Sequence, residues 1–103
     1  MLTAIKAGKP VKLDNIDSFV DGAAVKRVGD ATFEICKQVI DDMHLIPEGK
    51  ICSTILKLYN EEAIVVEPAG VVGLAYLISA KPSTGKKVVP ILTGGNVDMY
   101  LLG

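Results

Sequence analysis

Val88-Val89-Pro90-Ile91-Leu92-Thr93-Gly94-Gly95-Asn96 is an apolar run that ends on a hydroxyl residue and two glycines. Read as a strand running into a tight turn, it places backbone N–H groups and a short O–H where a ligand can approach, because glycine carries no side chain to block the way. Pro90 cannot donate to a ladder, so this last strand is expected at an edge or with a bulge. Asn96 is expected to fix the Gly-Gly turn through side-chain hydrogen bonds. Upstream, Ile64-Val65-Val66 is a β-branched run that leads into Glu67-Pro68-Ala69-Gly70. Pro68 suits the first turn of a helix, where its missing N–H costs nothing. That helix is expected over Ala69–Ser79. It is apolar all round, which implies burial.

The pattern continues outward to the N-terminus. Phe33, Ile35, Cys36, Val39 and Ile40 give a wide apolar face at helical spacing after Gly29, and Asp30 can cap that helix through its carboxylate. Met43–Ile46 reads as a short strand, and a second helix is expected from Glu48 to Asn60. A short helix near Leu2–Ala7 is followed by the breaker Gly8-Lys9-Pro10, and one further helical turn is expected around Asp14–Asp17. Helices and short strands alternate, so the expected class is α/β, with parallel strands joined by right-handed crossovers.

Composition narrows the function. The 103 residues carry 11 basic and 12 acidic side chains, a net charge of −1, so no field favours nucleic acid or an anionic membrane. Lys26-Arg27 and Lys86-Lys87 are pairs too short to form a basic patch, and read as solvated. Half of the residues are hydrophobic, only 5% are aromatic and Trp is absent. Aliphatic side chains therefore carry the core. Cys36 and Cys52 show no CxxC spacing and fall at apolar helix positions, where free Cys behaves as a small hydrophobe. No metal or disulfide role is expected, and a reducing cytoplasm is the natural home. The longest apolar run, Ala69–Ala80, falls well short of the roughly 20 residues of a membrane span, and no secretory signal is expected. His44 has no second His or Cys in ligand spacing, so it reads as structural or exposed.

A third segment completes the pattern. Ser18-Phe19-Val20-Asp21-Gly22-Ala23-Ala24-Val25-Lys26-Arg27-Val28-Gly29, the Glu67–Gly70 segment and Thr93–Asn96, in this order and spacing, resemble the C-terminal part of the catalytic domain of threonine dehydratase (threonine ammonia-lyase). The resemblance runs from about Leu2 to Asp98. It implies a fragment of a tryptophan-synthase-β-like domain, a pyridoxal 5'-phosphate cofactor, and a parent reaction that turns L-threonine into 2-oxobutanoate and ammonia in isoleucine biosynthesis. The cofactor-binding positions it implies are Thr93, Gly22, Glu67 and Gly94. Thr93 stands where the family places a hydroxyl, usually serine, against the pyridine nitrogen, a partner that leaves that nitrogen with little positive charge. Gly22 packs close to the ring. Glu67 is a wall residue rather than a proton carrier, and its carboxylate at a helix N-terminus gains roughly 0.3–1 kcal/mol from the helix dipole.

Two family features are missing from these residues: the lysine that anchors the cofactor and moves the Cα proton, and the glycine-rich phosphate loop. The chain is therefore expected to be a single partial domain over 1–103, without the regulatory domain and without catalytic residues of its own. It is expected to be inactive alone, and to associate with itself or with the rest of the domain. A serine dehydratase or racemase relative shares the same three segments. A non-catalytic α/β interaction module, or a regulatory fragment that binds a parent enzyme, is the rival from another class. A nucleotide-binding loop at Thr93–Gly95 is disfavoured, because too little chain follows to supply the helix N-terminus that would hold phosphate.

Overall fold

Residue packing divides the chain into two units, and a computed structural model describes residues 1–98 and 100. The first unit comprises Met1–Ser18 and Ala24–Leu45. Helix α1 (Leu2–Ala7) ends at Gly8, whose φ of 73° is left-handed and lets its N–H and that of Lys9 turn back onto Ile5 and Ala4. Helix α2 (Asp30–Val39) starts one position earlier than a capping Asp30 requires. Gly29 is its N-cap and no side chain caps it. Asp30 lies inside the first turn, where its charge suits the dipole and its carboxylate takes Arg27 at 2.6 Å. Arg27 also donates to the Val28 carbonyl at 3.1 Å, so it is a paired residue rather than a merely solvated one.

The core of this unit is Ala4, Val28 and Phe33, with Met1 and Ile5 packed on it. The expected wide apolar face of α2 is used only in part. Phe33 is 1% exposed and Cys36 half-buried, while Ile35, Val39 and Ile40 stay exposed. An antiparallel bridge joins Lys12 to Arg27. No helical turn forms at Asp14–Asp17; the nearby turn is of 3₁₀ type, at Asp21–Ala23 in the other unit.

The second unit comprises Phe19–Ala23 and the chain from Ile46 on. Helix α3 (Glu48–Lys57) passes into a π-type turn, Leu58–Glu62, which Ala63 ends in the left-handed region at φ 54°. Its buried side, Ile51, Ile55 and Leu58, packs with Val66, Val71 and Ala75 into one core. Thr54 is buried there too, and its hydroxyl is satisfied by the Lys50 carbonyl at 2.7 Å. The apolar helix expected from Ala69 begins later. Pro68–Gly70 is a 3₁₀ turn, and helix α4 (Val72–Ala80) opens with the Ala75 N–H to the Val71 carbonyl. The Gly70 carbonyl, which would otherwise serve an earlier helical turn, accepts from the Thr93 N–H. Burial of α4 is one-sided. Val71 and Ala75 are covered, Leu74, Tyr76 and Leu77 are half-buried, and Ile78 is exposed.

The expected strands are the main difference. Met43–Ile46, Ile64–Val66 and Val88–Leu92 form no ladder, and no β-strand occurs among the described residues. A strand needs a partner to hydrogen-bond with, and these three segments do not pair with one another. Pro90 therefore forfeits no ladder bond here. Apart from Val66, which is buried in the core, and Ile46, which packs on it, most of their apolar side chains stay uncovered, with Leu45 78%, Val89 85% and Ile91 75% exposed.

Candidate functional site

Three turns of the second unit converge. In the first, Asp21 Oδ1 accepts the Gly22 N–H at 2.8 Å and the Ala23 N–H returns to the Val20 carbonyl. In the second, Glu67 is extended (φ −78°, ψ 160°) and sets up the Pro68–Gly70 turn, which the Gly70 N–H closes onto the Glu67 carbonyl at 2.9 Å. In the third, Gly94 adopts φ +70°, a conformation that a residue with a side chain rarely takes.

Two backbone hydrogen bonds tie the last two turns together. The Glu67 N–H donates to the Gly94 carbonyl at 3.0 Å, and the Thr93 N–H donates to the Gly70 carbonyl at 3.3 Å. The Glu67 side chain lies between two glycines. A methyl at Gly94 would overlap the Glu67 carboxyl group, and one at Gly22 would stand 3.4 Å from Glu67 Oε1 and 3.0 Å from the Ala69 Cβ. Thr93 is exposed, and its hydroxyl has no hydrogen-bond partner among the described residues. All four sequence-expected positions, Gly22, Glu67, Thr93 and Gly94, are thus brought to one place.

Two expectations about this place change. Asn96 does not fix the Gly-Gly turn; no side-chain hydrogen bond of Asn96 exists among the described residues, and the two backbone bonds do the holding. Glu67 precedes a three-residue 3₁₀ turn rather than an α-helix. Few aligned peptide dipoles face it, so the dipole contribution expected from a full helix does not apply. Gly70 was missed as a site residue. It is buried, and a methyl on it would overlap the Thr93 carbonyl oxygen. Its only sequence signal is a glycine immediately after Pro-Ala at the head of an apolar helix.

The remaining candidates lie apart from this junction. His44 Nε2 meets Asp42 Oδ2 at 3.0 Å in the first unit, and both side chains are exposed. A groove of that unit, lined among others by Leu2, Lys6, Lys37 and Asp41, holds none of the four positions. Cys36 and Cys52 are free thiols, each half-buried in a different unit. No group of three or more His, Cys, Asp or Glu side chains suited to a metal occurs among the described residues. No described helix is long and apolar enough to cross a membrane.

Comparison with known proteins gives concordant matches. A family model described as "Pyridoxal-phosphate dependent enzyme" matches residues 1–94. The biosynthetic L-threonine dehydratase of Halalkalibacterium halodurans is 54% identical over 100 residues, which cover 96% of this chain and 24% of that protein. The chain thus spans about a quarter of the length of the curated relatives it matches. Among solved structures, the processed form of threonine deaminase isoform 2 from Solanum lycopersicum superposes with a TM-score of 0.86 at 35% identity, covering 97% of this chain and 30% of that one. Serine racemase from Dictyostelium discoideum superposes with a TM-score of 0.77 at 28% identity, covering 93% of this chain and 31% of that one.

Proposed function

This chain belongs to the family of pyridoxal-phosphate dependent enzymes, and we propose that it forms one wall of the cofactor pocket of a threonine dehydratase. The observation that carries the proposal is the convergence of Gly22, Glu67, Thr93 and Gly94 from three distant segments onto one face. The residues there fit the cofactor. A hydroxyl without a protein partner is available to a ring nitrogen, and the glycines let the turns close on the Glu67 side chain with no side chain of their own in between.

When bound, pyridoxal 5'-phosphate supplies electron withdrawal at the substrate Cα. This chain's residues do the orienting. The Thr93 hydroxyl would serve the pyridine nitrogen as a neutral partner, and Thr93 keeps a restricted side-chain direction because β-branching limits χ1. Gly22 and Gly94 let their turns pack against the Glu67 side chain, which would form the wall between them. The net reaction takes L-threonine to 2-oxobutanoate and ammonia: one water leaves from Cα and Cβ, and one water returns when the C–N bond is hydrolysed. The base that takes the Cα proton and the phosphate-binding groups come from the part of the relatives that this chain does not match. In that setting the three apolar segments pair with further strands in an α/β domain of tryptophan-synthase-β-like fold, within an enzyme of isoleucine biosynthesis in the cytoplasm. The match to serine racemase supports a relative that acts on serine as the second reading, and turnover of threonine against serine separates the two.

The test is Thr93→Ala in the full-length enzyme that carries this segment. The hydroxyl makes no bond that holds the fold, and the two backbone hydrogen bonds persist in the variant. Loss of one neutral hydrogen bond, worth about 0.5–1.5 kcal/mol, is expected to lower turnover about two- to tenfold and to shift the cofactor absorbance, with the melting temperature unchanged. Unchanged turnover and absorbance would show that Thr93 does not meet the ring.

A further inference from the structure

We propose that Gly70 is a positioning residue: together with Gly94 it closes a two-bond clasp that sets the direction of the Thr93 hydroxyl and the place of the Glu67 carboxylate. The proposal rests on the reading of Thr93 as the hydroxyl that meets the pyridine nitrogen. Gly70 is buried, and a methyl built on it would overlap the Thr93 carbonyl oxygen and stand 2.7 Å from the Thr93 carbonyl carbon and 3.3 Å from its nitrogen. These are backbone atoms, and none can rotate aside. The same approach lets the Thr93 N–H reach the Gly70 carbonyl at 3.3 Å, while the Glu67 N–H reaches Gly94 at 3.0 Å.

On the other side, a methyl at Gly94 would run into the Glu67 side chain, 2.6 Å from its Cγ, in a backbone conformation already unfavourable to L-residues. The neighbouring glycines are not so constrained. A methyl at Gly95 would meet only the Val65 carbonyl at 3.9 Å, and one at Gly73 would meet nothing within 4 Å. Threonine's stiff χ1 completes the argument. Once the Thr93 backbone is held at Gly70, few directions remain for its hydroxyl.

Amide hydrogen exchange on the 103-residue chain and its variants tests this. Gly70→Ala is expected to speed exchange at Glu67 and Thr93 about tenfold, the population change that one lost hydrogen bond brings. Ile51 and Ile55 in α3 serve as the reference for an intact unit and keep their protection. Gly95→Ala leaves all four amides as they were. Unchanged exchange at Thr93 in a folded Gly70→Ala chain would overturn the proposal. Should Gly70→Ala also strip protection from Ile51 and Ile55, Gly94→Ala decides: Thr93 and Glu67 loosening together supports a single clasp, and Thr93 staying protected while Glu67 is freed overturns it. The cofactor reading is separated by absorbance of the full-length holoenzyme, where Gly70→Ala is expected to shift the cofactor band as Thr93→Ala does. A clasp that loosens on exchange, combined with a band that neither variant moves, would sink the cofactor reading and leave the clasp standing.

Discussion

In sedimentation velocity at micromolar concentration, the isolated chain is expected to run as an oligomer or a broad distribution of species. Val89, Leu45 and Ile91 are each at least three-quarters exposed, and Ile35, Val39, Leu56 and Val65 are more exposed than buried. Exposed apolar side chains on this scale mark surfaces that another chain or another part of the same protein covers. The backbone adds to the effect. Ile64–Val66 and Val88–Leu92 carry strand-forming residues but no ladder, and unpaired segments of that kind invite pairing with another chain. Helix α4 leaves Ile78 uncovered as well. A compact monomer with a single cooperative thermal transition would contradict this expectation, and would favour a stand-alone interaction module.

Phe33→Ala is expected to lower stability by about 3–5 kcal/mol, the usual cost of removing a buried aromatic side chain. Phe33 is the one aromatic in a core otherwise made of Ala4 and Val28, and Met1 and Ile5 reach it only from the margin. So small a core has little left to refill the cavity. The ring also carries the Lys37 ammonium 5.6 Å from its centre, a contact the variant loses. Ile35→Ala, two positions along the same helix but 61% exposed, is expected to change stability by no more than about 0.5 kcal/mol. Urea unfolding of both variants at one fixed protein concentration makes the comparison valid even when the chain associates. Equal losses would mean that the first unit is not built around Phe33.

The helices were legible in the sequence because their signals are local. Gly8 stops α1, α3 starts at Glu48 right after Pro47, and the Ile51–Ile55 spacing marks the buried side of α3. The strands were legible only as propensity. Val88–Leu92 has the composition of a strand, yet a ladder depends on partners whose position no local pattern encodes. For the candidate site, Thr93, Gly94, Glu67 and Gly22 were singled out through the resemblance, and the turns that carry them meet in the second unit. Gly70 escaped because its constraint comes from the Thr93 carbonyl, remote in sequence, and nothing around Pro68-Ala69-Gly70 signals that approach. Asn96 was given a role that its side-chain chemistry permits, but the backbone holds that turn without it.

The meeting of the turns at Gly22, Glu67–Gly70 and Thr93–Gly94 also has a consequence in time. Helices α2 and α3 depend on neighbours a few residues away, and such elements form within microseconds. The junction requires that chain from near position 22 to position 94 be closed into loops first, an entropy cost that long-range contacts repay only after they are made. On a growing chain, the Gly22 turn and Glu67 must wait for Thr93 and Gly94 to be synthesised before the hydrogen bonds between the last two turns exist. The junction is therefore a late product of folding, completed after helix α3 of the same unit. Pulse-labelled exchange during refolding reads that order directly, and protection at Glu67 and Thr93 arriving no later than at Ile55 would refute it.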